Sequence, residues 1–211
     1  MASRKRYGQF CALARALDHV GDRWTLLVIR ELLIAPRSFR ELTRALPGMS
    51  PNLLVQRLRA LDEDGMVRRS QAPQRSRSVT YELTPAGLAL EGTVFELIRW
   101  GSRWMTTGPQ GDHVDSAWSI LALRALLDGT PNAGATGIVH VNADGQWLTI
   151  QMHRGRRSVR AGRSGSAQAT VSAGFPALLE VAAGLTTLTA GDVTITGDQT
   201  AAARSLSPSG R

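Results

Sequence analysis

With one cysteine, Cys11, in 211 residues, no disulfide can close within a single chain and no structural zinc site can be built on thiolates. That usage fits a reducing cytoplasm. The opening residues MASRKRYGQF lack the apolar core of a signal peptide, and no later stretch approaches the roughly 20 uninterrupted apolar residues of a membrane span. A cytoplasmic protein without membrane insertion is therefore expected. Motifs for catalysis are also missing: the chain has no HExxH, no GxSxG, no GxxxxGK[ST] and no GxGxxG after a strand. The histidines at 19, 113, 140 and 153 are scattered, and each reads better as a structural or solvated side chain than as a ligand. Neither an enzyme, nor a metal site, nor a cofactor is expected.

What is present is a 43% hydrophobic composition, enough for a sizeable core in one large or two small domains. The formal charge of +8 is uneven. Residues 1–105 carry 17 Lys+Arg against 10 Asp+Glu, net +7, and residues 106–211 carry 8 against 7, net +1. A basic first half concentrates polyanions by long-range attraction, although basic surfaces also occur without such a partner. The nearly neutral second half is expected to add little to that attraction.

The stretch SPNLLVQRLRALDEDG, residues 50–65, has the signals of a DNA-recognition helix. Ser50 can cap the first turn, Pro51 suits the first helical position, and Gly65 suits the end. Leu54, Leu58 and Leu61 share one face; Asn52, Gln56 and Arg59 project from the other, with Leu53 and Ala60 at its margin. Asparagine and glutamine suit adenine, arginine suits guanine, and an apolar group suits the thymine methyl. An ordinary amphipathic surface helix describes these residues equally well, so context decides.

That context begins with a short amphipathic helix over 10–20, carrying Leu13, Leu17 and Val20 and interrupted by Gly21. Asp22 is placed to cap the next helix, whose Trp24, Leu27 and Leu32 suit the centre of a core. Ser38, with Glu41 three residues on, forms a capping box for FRELTRAL, and Pro47-Gly48 turns the chain into Ser50. Two helices across a tight turn predict a helix-turn-helix. MVRRSQ and SVTYEL then predict a β-hairpin wing, with Arg68 and Arg69 on its first strand and Arg75 and Arg77 near its tip. The candidate DNA-binding residues are Ser38, Ser50, Asn52, Leu53, Gln56, Arg57, Arg59, Arg75 and Arg77. Thr84-Pro85 opens what reads as one long helix to about Met105, and its Phe95, Ile98 and Trp104 are candidates for a homodimer surface. Burial within the chain is the alternative for them.

Residues 106–114 read as a linker, separating a domain over 1–105 from one over 115–211. In the latter the pattern predicts a helix from Ser116, a hairpin whose strands meet at Asn142–Gly145, strands near 158–161 and 167–172, a helix over FPALLEVAAG, a strand in GDVTITGD and a short terminal helix. Such an order packs helices on one face of a mainly antiparallel sheet, so the fold class is α+β throughout.

FCALARALDHVGDRWTLLVIRELL, then SFRELTRALPGMSPNLLVQRLRALDEDGMVRR and VTYELTPAG, resemble the HxlR-type winged helix-turn-helix regulators over roughly residues 10–105. The segment APQRSR departs from the shorter, proline-rich wing of that family. The resemblance implies a homodimer on double-stranded operator DNA, with the first and last helices contributing to the dimer. It also makes Cys11 a candidate redox residue, since some members carry a redox-sensing cysteine there. The apolar neighbours Phe10, Ala12 and Leu13 instead predict a buried, inert thiol, with Arg15 placed to favour a thiolate only if both are exposed. ATVSAGFPALLEVAAGLTTLTAGDVTITGD is similar to the sterol-carrier-protein type of domain. That resemblance implies an apolar tunnel, for which Trp118, Leu121, Phe175, Leu178, Leu179 and Leu185 are the lining candidates; an ordinary core is the alternative. The expected function is a transcriptional regulator, a repressor, with a hydrophobic small-molecule effector. The competing expectation is a lipid carrier whose first domain serves dimerisation.

Overall fold

The computed structural model describes residues 6–71, 79–105, 109–132, 134–189 and 192–207, and the chain divides into two compact units, Met1–Val94 and Phe95–Arg211.

The first unit is assembled on α2 (Thr25–Ile34), whose Val28, Ile29 and Leu32 are buried. Before it, α1 (Ala12–Val20) ends at Gly21, where an added Cβ would lie 2.5 Å from the Leu17 carbonyl oxygen; glycine is needed there for space. Asp22 does not cap α2: Trp24 occupies that position without a side-chain cap, and the Asp22 carboxylate pairs with Arg57. After α2 come β1 (Arg37–Ser38), α3 (Phe39–Ala45), α4 (Pro51–Glu63), β2 (Val67–Gln71) and β3 (Val79–Leu83). The strands form an antiparallel sheet in the order β1-β3-β2, with Arg37 opposite Tyr81 and Val67 opposite Leu83. The two-residue β1 is too short to leave a periodic signal, and the sequence pattern missed it.

Three expectations need correction here. The helix read from Pro85 to Met105 is two, α5 (Pro85–Leu88) and α6 (Glu91–Ser102). Gly87 explains the break, because a Cβ there would lie 2.1 Å from the Met66 carbonyl oxygen; the first turn is pressed onto the backbone before β2, and the chain turns at Ala89 and Leu90. Secondly, among the described residues the apolar face of α1 is left uncovered: Ala14 and Val20 are buried, but Leu13 is 67% and Phe10 is fully exposed. Finally, Cys11 is exposed with them.

The second unit carries α7 (Ser119–Leu127), β4 (Gly137–Ala143), β5 (Gln146–His153), β6 (Arg156–Ala161), β7 (Ala169–Ala173), α8 (Phe175–Ala182), β8 (Thr194–Gly197) and α9 (Gln199–Leu206). Its sheet runs β6-β5-β4-β7-β8, antiparallel except where β7 lies parallel to β4. Strand periodicity sends Val139, Val141, Leu148, Ile150, Val159 and Val171 to one face, where they form a core with Leu123, Leu127, Phe175, Leu178 and Leu206 from the helices. The first hairpin is tighter than expected. Asn142 and Ala143 remain in β4, and Asp144-Gly145, both at positive φ, make a two-residue turn with the Gly145 amide donating to Asn142 Oδ1 at 2.8 Å. Asp144 then caps α8 from outside that helix, its Oδ2 accepting from the Phe175 amide at 2.8 Å.

One buried charge organises the first unit. Glu31, with no exposed surface, meets Arg30 Nη2 at 2.7 Å and Arg37 Nη2 at 3.1 Å, while Arg37 Nε donates to the Glu31 carbonyl oxygen at 3.3 Å. β1 is thereby tied to α2. Replacing Arg37 by methionine removes a guanidinium group from a buried carboxylate and is expected to destabilise this unit by about 3 kcal/mol, whereas adding Glu31→Leu should recover most of that stability. Urea-dependent hydrogen exchange of the α2 and β3 amides measures both; a double variant as unstable as Arg37→Met alone would refute the role of the pair.

Candidate nucleic-acid interface

α3 starts at Ser38, whose Oγ accepts from the Glu41 amide at 3.3 Å while Glu41 Oε2 accepts from the Ser38 amide at 2.6 Å and its hydroxyl at 2.7 Å. The Ser38 hydroxyl and amide together hold the Glu41 carboxyl below its usual pKa. The expected capping box is present. Leu42 and Leu46 are buried, and the chain turns through Gly48, at φ +86, beside the Trp24 ring. Ser50 then caps α4, its Oγ accepting from the Leu53 amide at 3.3 Å, and Pro51 opens the helix.

Burial sorts the α4 side chains. Leu54, Leu58 and Leu61 are buried; Asn52, Gln56 and Arg59 are exposed along the opposite side, and Leu53 is half-buried. Arg59 Nε donates to Glu63 Oε1 at 2.8 Å, one helical turn on. Both partners are well exposed, so releasing the arginine to another acceptor costs no more than about 1 kcal/mol. Arg57 is turned away from this row and held by Asp22. Gly65, at φ +68, ends the helix, and Thr84 Oγ1 donates to its carbonyl oxygen at 2.5 Å, joining the helix end to the wing. His19 Nδ1 lies 2.9 Å from Asp64 Oδ2, which ties α1 to the same end.

On the wing, Arg68 Nε donates to Glu82 Oε1 at 2.7 Å across β2 and β3, and the Arg69 guanidinium lies 5.9 Å from the Tyr81 ring centroid. Arg75 and Arg77 lie outside the described residues. Three exposed side chains were missed by the sequence reading: Val55, 52% exposed at the other margin of the α4 row, and Arg40 and Arg44 on α3. The 100° spacing of a helix places Val55 beside Asn52 and Arg59, so that signal was available.

The remaining candidates are dispersed. Phe95 is buried in its own unit, with the Arg124 guanidinium 5.1 Å from its ring centroid; Ile98 is half-buried, and Trp104 is 60% exposed and edge-on to Trp100. Cys11 precedes the first turn of α1, where the free amides of Ala14 and Leu13 hold its thiol below the usual pKa, although no hydrogen bond of cap geometry forms. Leu121, Phe175, Leu178 and Leu179 are buried, Trp118 packs at the edge of the core, and Leu185 lies exposed after α8. Among the described residues no group of three or more His, Cys, Asp or Glu is placed to hold a metal ion, and no helix is long and apolar enough to cross a membrane.

Two helices across a tight turn, the second with a polar exposed row, followed by a β-hairpin, define a winged helix-turn-helix. The model of the HxlR-like helix-turn-helix family matches residues 19–109, and the chain belongs to that family. It is 33% identical over 91 residues to the uncharacterized HTH-type transcriptional regulator YvaP of Bacillus subtilis (strain 168), a match covering 43% of this chain and 84% of that one. It is 32% identical over 93 residues to the HTH-type transcriptional regulator YodB of the same organism, covering 44% and 83%. A solved structure, the reduced form of YodB from B. subtilis, aligns at 31% identity and a TM-score of 0.40, covering 47% of this chain and 99% of that one.

Proposed function

We propose that the protein is a homodimeric repressor that reads operator DNA through α4 and whose second unit binds a hydrophobic effector. The observation that carries the DNA reading is the exposed row Asn52, Gln56 and Arg59 on a helix whose opposite side is buried. These groups suit major-groove edges, with Val55 and Leu53 available to a thymine methyl; Arg40, Arg44, Arg68 and Arg69 suit phosphates, and Arg75 and Arg77 are proposed beside them. Family membership supports the same reading. Replacing Gln56 or Arg59 by alanine is expected to cost roughly 1–3 kcal/mol of discrimination between the chain's own upstream DNA and random duplex. Competition titrations of the full chain measure it; an equal fall in affinity for both duplexes would remove α4 from base reading.

Dimerisation is supported by large apolar side chains left uncovered: Phe10 and Leu13 at α1 in the first unit, Trp100 and Trp104 at and beyond the end of α6 in the second. Contiguous exposed apolar surface marks association sites. Leu13→Glu and Trp104→Glu are each expected to shift the protein from dimer to monomer in sedimentation without loss of helicity. Variants that stayed dimeric would place the interface elsewhere.

The effector reading rests on the resemblance of residues 169–198 to a sterol-carrier-type domain and on the apolar helix α8, whose Phe175, Leu178 and Leu179 enter the core. A fluorescent long-chain fatty acid is the probe. It is expected to bind the full chain and to change its affinity for the upstream DNA, with the DNA changing fatty-acid affinity by the same factor. Saturable binding that leaves DNA affinity unaltered would make the second unit a carrier module.

A further inference from the structure

The near-neutral charge of the second half conceals a strong segregation. From Gly145 to Leu179 the chain holds five arginines, at 154, 156, 157, 160 and 163, and no aspartate or glutamate. The fold handles one of them separately. Arg157 points into the helix-covered side, where Nη2 and Nε donate to the Arg204 carbonyl oxygen at 2.8 and 3.2 Å and Nη1 to Thr130 Oγ1 at 2.9 Å; burial lowers its pKa. It closes the last turn of α9 and is structural.

The others are outside. Pairing of β5 with β6 sets His153 opposite Arg156 and Thr149 opposite Arg160, on the face turned away from the apolar core. The chain after β6 folds back over that face: Thr149 Oγ1 donates to the Gly162 carbonyl oxygen at 2.8 Å, and the Ser164 amide donates to Thr149 Oγ1 at 3.0 Å. This return lays the Arg163 guanidinium 4.6 Å from the centroid of the Trp147 ring, on β5 of the same sheet. Arg154, Arg156, Arg160 and Arg163 are all exposed, and among the described residues no carboxylate lies within ion-pair distance of any of them.

We infer that this face of the sheet is a second DNA-backbone contact, binding phosphates without regard to sequence. Charge on a sheet edge by itself serves to deter edge-to-edge pairing. That task is met equally by mixed signs, whereas four unneutralised like charges repel one another and are best matched by a polyanion. Arginine supplies the planar fork that suits phosphate oxygens, and the Arg163–Trp147 stack holds one such fork in place. Arg156 and Arg160 stand about 13 Å apart along β6, four strand residues, far enough to meet different phosphates.

The inference rests on the DNA-binding reading but is tested apart from it, because phosphate binding is read on random duplex and base recognition on the ratio of upstream to random DNA. The full chain carrying R156Q, R160Q and R163Q is titrated with random-sequence duplex across a salt series, beside the R156K, R160K and R163K version. The glutamine variant is expected to lower the slope of log affinity against log salt by roughly 2 to 3, at about 0.9 for each phosphate no longer neutralised, with the upstream-to-random ratio retained. The lysine version should keep the slope. An unchanged slope in the glutamine variant overturns the inference while leaving α4 untouched. Arginine-dependent retention on phosphatidylserine vesicles with an unchanged DNA slope overturns it too, assigning the face to an anionic membrane.

Discussion

The first unit depends on a carboxylate that water cannot reach. Glu31 is fully buried between Arg30 and Arg37, and the second of these is the first residue of β1. Because a buried charge without its partner is far costlier than the pair, the position of residue 37 is strongly determined by α2. Everything downstream inherits that position: Ser38 pairs in the sheet opposite Thr80 and at the same time caps α3, and α3 leads through Gly48 to the cap of α4. A single ion cluster therefore orients both the wing sheet and the helix with the exposed polar row.

The second unit uses the opposite arrangement of polarity. Its buried charge, Arg157, has carbonyl and hydroxyl oxygens for partners, and it locks β6 to the end of α9. One face of its sheet is apolar and helix-covered; the other carries Thr149, a buried His140 whose Nε2 lies 3.2 Å from the Ser164 carbonyl oxygen, and Arg156 and Arg160 of β6. Two kinds of exposed group stand out. Around α1 they are the apolar side chains Phe10 and Leu13, and on the outer sheet face of the second unit they are guanidinium groups. An apolar surface favours association with a complementary apolar one, and a cationic surface favours a polyanion.

Local rules were sufficient wherever the cause of a structure lies within a few residues. Ser38 with Glu41, Ser50 with Pro51, Gly65, and the alternation of Val139 and Val141 were legible because capping, left-handed termination and two-residue periodicity are short-range effects. The row Asn52, Gln56 and Arg59 followed from helical spacing alone. The family resemblance was legible for the same reason, since its motifs are these local signals in a fixed order.

Only the tertiary structure decided which apolar and charged groups meet. Cys11 and its apolar neighbours read as buried, yet among the described residues nothing covers them; Asp22 read as a cap, yet Arg57, distant in sequence, takes it; the helix from Pro85 read as continuous, yet the backbone at Met66 stops its first turn at Gly87. Net charge near neutral hid a face whose arginines have, among the described residues, no carboxylate within ion-pair distance, because the sum over a domain does not say which side of a sheet each charge occupies. Sequence determines propensity, periodicity and sign. Burial, ion pairing and the grouping of charges on one surface are set by contacts between residues far apart in the chain, and those exist only once it has folded.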